Sequence, residues 1–287
     1  MDKGYLVIIG GAEDKENECE ILKEVVSLYK KKKGSLVILT VATDYPVEVG
    51  EEYKKVFKSL GVEDINIIHI ENRDMAEDKS NIKILQSAGC IFFTGGDQIK
   101  ITSLIGGTKF YESLKELYFN KVLIVGTSAG ASCLSSTMIV EGEDDSAPKK
   151  CVINMSPGLD IIRGVIIDQH FAQRGRIGRL LSSVAQNPEI IGIGIDENTA
   201  IVIEGEDEFR VIGEGGVTIV DGNFISHTNV SELSKDEILA ITNVKLHILP
   251  KGYVYNLKDK APILHNRCKE DNYENHWPEN IYRKKHT

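Results

Sequence analysis

The sequence lacks the features that mark several large classes of protein. Cysteine is sparse, with five residues in 287, at positions 19, 90, 133, 151 and 268. The number is odd, the spacing is wide and no C-x-x-C pair occurs, which excludes a disulfide framework or zinc ribbon and points to a reducing compartment. No H-E-x-x-H motif or clustered ligand set is present either, so no metal or other cofactor is expected. Nothing approaches the roughly 18 consecutive apolar residues of a membrane span. The first apolar run, residues 5–9, is too short for the core of a secretory signal and has no basic stretch before it, so the expected location is cytoplasmic. Positive charge is in deficit: 34 Lys and Arg against 43 Asp and Glu leave a net charge of −9. Such a chain has no general attraction for phosphate backbones, so nucleic acid is not an expected partner, whereas a cationic substrate suits it.

What is present is a globular composition, 41% hydrophobic and 27% charged, long enough for a sizeable core. Short β-branched runs at 5–9, 36–41, 65–70, 90–94 and 122–125 alternate with helical patterns at 15–33, 46–60, 79–88 and 110–119. That alternation predicts an α/β fold of three layers, a mostly parallel sheet with helices on both faces. A strand at 165–168 and a helix at 172–186 follow. Strands at 190–195, 200–204, 209–212 and 217–220 are separated only by turns and read as antiparallel hairpin strands added to one edge. A short helix is expected within 231–243 and a last strand pair at 245–249 and 253–257. One domain is expected over residues 1–264, followed by a polar tail over 265–287.

Residues 122–132 read as a strand, then Gly126-Thr-Ser128-Ala-Gly130, then a helix start. This is the pattern of a nucleophile elbow. The turn holds its serine in a strained conformation and tolerates no bulky side chain two residues before or after it. A serine hydroxyl needs a base. Of seven histidines, His170 directly follows the strand ending Asp168-Gln169, where ligands gather in open α/β sheets. The third member, a carboxylate that orients the imidazole, comes from Asp196 or Glu197 at the next strand terminus, with Asp168 the competitor. The order Ser, His, acid differs from that of α/β-hydrolases and counts against a lipase or esterase.

The N–H of Ala129, at a helix start, suits an oxyanion, and the turn Gly95-Gly96-Asp97-Gln98 can supply a second donor from Gly96. Asp97 can also cap a helix there. Arg174, Arg176 and Arg179 crowd into six positions after His170, the last two on one helix face. In an acidic chain such a cluster suits bidentate binding of carboxylates. Gly10-Gly11-Ala12 lacks a full nucleotide-binding pattern and reads as a turn, and residues 141–145 read as an exposed acidic loop.

Together, residues 9–14 (Ile-Gly-Gly-Ala-Glu-Asp), Gly95-Gly-Asp-Gln98, Gly126-Thr-Ser-Ala-Gly-Ala131, Asp168-Gln-His-Phe171 with its three arginines, and Asp196-Glu-Asn-Thr199 resemble the cyanophycinase family. That family is a branch of the serine peptidases that also contains aspartyl dipeptidases. The resemblance is colinear from about residue 4 to about residue 260. It implies a flavodoxin-like or class I glutamine amidotransferase-like sheet and a homodimer. It also implies hydrolysis of cyanophycin, a poly-aspartate bearing arginine on each β-carboxyl, to β-Asp-Arg dipeptides. By resemblance Ser128 is the nucleophile, His170 the base and Glu197 the orienting acid. Gln98, Asp168, Gln169, Arg174, Arg176 and Arg179 would be substrate contacts; by charge, Asp168 is the leading candidate to meet the substrate guanidinium, and members of the arginine cluster its carboxylates. The alternatives are an aspartyl dipeptidase and a catalytically silent module that binds Arg-rich or β-aspartyl peptides.

Overall fold

The computed structural model describes residues 4–144, 147–149, 153–205 and 207–263. Five strands run parallel: β1 (Leu6–Ile9), β2 (Ser35–Leu39), β3 (Ile65–Ile68), β4 (Ala88–Phe93) and β5 (Leu123–Thr127), side by side in the order β1-β5-β4-β2-β3. The helices α1 (Glu20–Tyr29), α2 (Pro46–Ser59), α3 (Arg73–Glu77), α4 (Lys79–Gln86), α5 (Gln98–Ile105) and α6 (Lys109–Phe119) connect them, and α7 (Ala129–Ser132) follows β5. The strands are apolar on both faces because both faces are covered. Val7 and Ile9 of β1 pack with Ile21, Leu22 and Val25 of α1 and with Tyr53 and Phe57 of α2. Leu6 and Ile8 point the other way, into a core with Ile101, Ile105, Phe110 and Leu114 of α5 and α6.

The remaining elements are β6 (Thr137–Gly142), β7 (Ile153–Pro157), β8 (Val165–Gln169), α8 (Ile177–Gln186), β9 (Ile191–Ile195), β10 (Thr199–Ile203), β11 (Glu208–Gly213), β12 (Gly216–Asp221), β13 (His227–Thr228), β14 (Ile241–Thr242), β15 (Lys245–Pro250), β16 (Val254–Asn256) and β17 (Ala261–Ile263). The later strands do not all add to one edge, as their spacing suggested. Strands β10, β11, β16 and β17 extend the parallel sheet beyond β1, antiparallel throughout, to nine strands. Strands β9, β12 and β15 instead join β8 in a separate four-stranded sheet.

The reason lies in the alternation Ile-Gly-Ile-Gly-Ile along β9. Ile191, Ile193 and Ile195 face the core shared with Leu6, Ile8 and Ile124. On the opposite face a Cβ at Gly192 would come 2.8 Å from the Leu180 side chain, and one at Gly194 2.4 Å from the Phe171 ring. Strand β9 is therefore a central strand that stacks on the main sheet and lets α8 press against its back. The chain passes between these two sheets at residues 196–198, at 214–215 and again at 251–253.

Other expectations also shift. Helix α1 starts at Glu20 rather than residue 15, because the Asp14 carboxylate gathers the N–H groups of Glu16, Asn17 and Cys19 and winds that stretch into a turn. Helix α8 starts at Ile177, since Gly175 at φ 59° breaks the preceding turns from it. No helix forms over 231–243: Leu239 is buried, Ile238 is exposed, and β14 pairs with β13. The hairpin β6–β7 has no counterpart in the expected strands, and it takes Glu141 and Gly142 out of the expected acidic loop. Asp145 and the tail over 265–287 lie outside the described residues.

Candidate active site

Ser128 sits between β5 and α7 with φ 53° and ψ −116°, a conformation that L-residues rarely adopt. Its neighbours have to be glycines. A Cβ on Gly126 would lie 2.1 Å from the Gly130 carbonyl oxygen, and one on Gly130 would lie 2.5 Å from that of Phe93. Ser128 Oγ lies 2.9 Å from His170 Nε2, and His170 Nδ1 lies 2.6 Å from Glu197 Oε1. Of the three carboxylates open on sequence grounds, Glu197 reaches the imidazole. Asp196 accepts the N–H groups of Ala172 and Gly216, and Asp168 is taken by Arg179.

The three side chains come from three different places. Ser128 ends a strand of the nine-stranded sheet, His170 follows β8 of the four-stranded sheet, and Glu197 lies where the chain passes from one sheet to the other. The turn after β1 draws them together. Three successive carbonyls, of Ile9, Gly10 and Gly11, accept the backbone N–H groups of Ser128, His170 and Asn198. Gly11, at φ 96°, carries the imidazole directly: a Cβ there would meet His170 Cε1 at 2.4 Å. Ala12, Ser128, His170 and Asn198 all have φ between 47° and 53°, so left-handed backbone is concentrated at this site.

A pocket of about 400 Å³ opens beside Ser128 and His170, with Glu13, Asp14, Tyr53 and Gly95 in its wall. Glu13 is only 4% exposed; Tyr53 donates its hydroxyl to Oε1 at 2.5 Å and Thr127 donates its own to Oε2 at 2.6 Å. Gly95 approaches Ser128 closely enough that a Cβ would lie 3.3 Å from the serine Cβ. Gly96, at φ 141°, turns against the Ala42 carbonyl, and Asp97 caps α5 by accepting the Ile99 N–H at 2.7 Å. The Gln98 amide donates to the carbonyls of Ile139 and Val140 on β6. Among the described residues no group of His, Cys, Asp and Glu is arranged to hold a metal ion.

The arginines are not a solvated face. Arg176 and Arg179 are each 5% exposed, whereas Arg174 is exposed. Arg179 grips Asp168 with two nitrogens, Nε at 2.7 Å from Oδ2 and Nη2 against Oδ1. Arg176 donates to Asp144 at 2.7 Å and to the Gln169 carbonyl and side chain at 2.6 and 3.1 Å. The carboxylates held by these two arginines are thus the chain's own. Burial alone would raise the Asp144 carboxyl, but the Arg176 hydrogen bond and the charges of Arg176, Arg179 and Arg174 outweigh it and keep it below its ordinary value.

The sequence model described as peptidase family S51 matches residues 6–211. The chain belongs to this family. Proteins named cyanophycinase are similar to this S51 chain over nearly its whole length. The one from Geminocystis herdmanii is 37% identical over 262 residues, 91% of this chain and 96% of that protein. The one from Trichormus variabilis is 35% identical over 266 residues, 92% of this chain and 89% of that protein. A crystal structure of a peptidase from an acI-B1 Actinobacterium shares the fold at a TM-score of 0.63 and 21% identity, covering 89% of this chain and 97% of that one.

Several residues of this S51 peptidase site escaped sequence reasoning. Glu13 and Thr127 lie inside motifs but carry no signal of their own, and Tyr53 on α2 belongs to no motif at all. Gln173, whose side chain accepts the Glu197 N–H at 3.0 Å, stood unremarked among the arginines. Of the other histidines, His69 is bound to Thr40 at 2.6 Å and His227 lies exposed on β13, while His265, His276 and His286 fall outside the described residues.

Proposed function

We propose that this S51 serine peptidase hydrolyses cyanophycin as an exopeptidase, releasing β-Asp-Arg dipeptides through an acyl-enzyme on Ser128. The observation that carries the reading is the unbroken hydrogen-bonded line from Ser128 through His170 to Glu197, 2.9 and 2.6 Å long, whose first two members line an open pocket. The naming of its relatives as cyanophycinases supports the substrate.

In the first step Ser128 attacks a backbone carbonyl of an aspartyl unit while His170 accepts its proton. Glu197 fixes the imidazole and stabilises its cation. The N–H groups of Ala129 and Gly96 take the oxyanion; the closeness of the Gly95–Gly96 turn to Ser128 supports this role. His170 then protonates the leaving amine, and water, deprotonated by the same imidazole, hydrolyses the ester. The left-handed strain at Ser128 is that of an elbow, presenting Oγ to the pocket rather than to the sheet. Of the six residues expected to contact substrate, Arg174 is exposed and is the one we place against it, while buried Gln98, Asp168, Gln169, Arg176 and Arg179 hold one another and the chain behind it in shape. We further propose a cytoplasmic homodimer, which light scattering of the purified protein would test.

The direct test is to incubate the protein with cyanophycin and take a mass spectrum of the products. β-Asp-Arg dipeptide is the expected product, and its absence, with small Asp-X peptides cleaved instead, would make the protein a dipeptidase.

A further inference from the structure

The mechanism leaves one buried carboxylate in the pocket without a task. We propose that Glu13 is a positioning residue, which holds the reactive serine in its strained conformation through Thr127. The inference rests on Ser128 being the nucleophile.

A residue at φ 53° persists only where bonds on both sides forbid it to relax. After Ser128, its carbonyl is held by the N–H groups of Ala131 and Ser132, at the start of α7. Before it, the backbone bond from Ser128 N–H to Ile9 O is 3.1 Å, and the residue that leads into the turn, Thr127, is 2% exposed and tied by its hydroxyl to Glu13. Glu13 itself cannot swing away, because Tyr53 holds its other oxygen. Burial, and then the Glu13 charge, push the Tyr53 hydroxyl above its ordinary range, so it stays protonated and donates. A carboxylate accepts only, so both hydroxyls must point toward it, and the Thr127 side chain is locked in one rotamer. Tyr53, Glu13 and Thr127 thus do for the serine what Glu197 does for the histidine.

The test compares kcat and KM on cyanophycin, and the rate at which phenylmethylsulfonyl fluoride modifies Ser128, for Thr127→Val, Thr127→Ser, Glu13→Gln and the double variant Thr127→Val/Glu13→Gln. Thermal melts confirm that each is folded. Displacing the reacting atom by a fraction of an ångström costs roughly tenfold to a hundredfold. Thr127→Val is expected to lose that much in kcat, with KM within about twofold and the sulfonylation rate falling in step. Thr127→Ser restores most of the loss, and the double variant is no worse than the weaker single one, because both act through the same bond. If Thr127→Val does not fold, Glu13→Gln and Tyr53→Phe are read by the same criteria. Wild-type kinetics in all of them would overturn the proposal. So would a raised KM with unchanged kcat and sulfonylation, which would make Glu13 a substrate contact, or equal losses in Thr127→Ser and Thr127→Val. Activity surviving in Ser128→Ala would instead sink the nucleophile and leave the clamp without an object.

Discussion

At the scale of single residues, the proposed triad is a hydroxyl, an imidazole and a carboxylate whose losses should differ in size. Ser128→Ala is expected to remove nearly all hydrolysis, by about a thousandfold or more, with an unchanged melting temperature, since one oxygen at a pocket wall is all that is lost. His170→Ala should be about as damaging. Glu197→Gln should retain more rate, because the acid orients and stabilises the imidazole without carrying the proton. Initial rates on cyanophycin check all three, and activity within tenfold of wild type in Ser128→Ala would move the nucleophile elsewhere. That Ser128 and His170 meet was legible because their signals are local: glycines at fixed offsets, and a histidine at a strand end. Glu197 could not be separated from Asp196 without the resemblance, because neighbouring carboxylates in one turn differ only in where the backbone aims them. Glu13 was illegible as a buried group, since what buries it, Tyr53 and Thr127, lies 40 and 114 positions away.

At the scale of elements, the turn after β1 carries more than its composition suggests. Gly11→Ala would put a methyl carbon 2.4 Å from the imidazole and strain a φ of 96°. Its expected effect is a loss of about a hundredfold in kcat with only a modest fall in melting temperature. The same turn is shaped by Asp14, whose carboxyl is held down to about 2 by the N–H groups of Asn17, Cys19 and Glu16. A carboxyl whose folded value is depressed stabilises above its unfolded value, here the ordinary 3.8, and loses that contribution as pH falls towards 2. Asp14→Ala should therefore lower the melting temperature at pH 6, and the gap from wild type should close between about pH 4 and pH 2.

The arginine segment behaves differently. Asp168 is 1% exposed and Arg179 5%, so Asp168→Ala strips a buried guanidinium of its two-pronged partner and leaves it only Asp144 at 3.5 Å. Such losses cost about 3–5 kcal/mol, and a thermal or urea melt will show whether this one does. Arg179→Lys keeps the charge but cannot reproduce the two-pronged contact, so it should recover only part of that stability. From the sequence this cluster is expected to grip substrate carboxylates; Arg176 and Arg179 instead hold Asp144 and Asp168 of the chain itself, and the return of Asp144 to this segment is something no local pattern records.

At the scale of the molecule, alternating strands and helices were enough to predict the parallel half and its two covered faces. They were not enough to sort the later strands between two sheets, because β9, β10, β11 and β12 are all short apolar runs. The Gly-Ile alternation of β9 distinguishes it only once Leu180 and Phe171 are known to lie against the glycines. Function at this scale is a matter of substrate. Cyanophycin should be cleaved efficiently, whereas unbranched poly-aspartate and casein should be poor substrates, because they do not offer arginine on every unit; comparable rates on all three polymers would refute the specificity while sparing the triad.

The placement of the triad across two sheets also bears on how a peptidase survives its own synthesis. Residues up to Thr127 complete the five parallel strands of the larger sheet, so Ser128 arrives early, but His170 comes 42 residues later and Glu197 27 after that. The strand that brings the acid into place, β10, must first dock on β1, with Ile203 opposite Leu6. Until that long-range pairing closes, the emerging chain holds an unactivated hydroxyl and nothing more. The proposed hydrolytic capacity therefore cannot appear before Ile203 has been made and has reached β1.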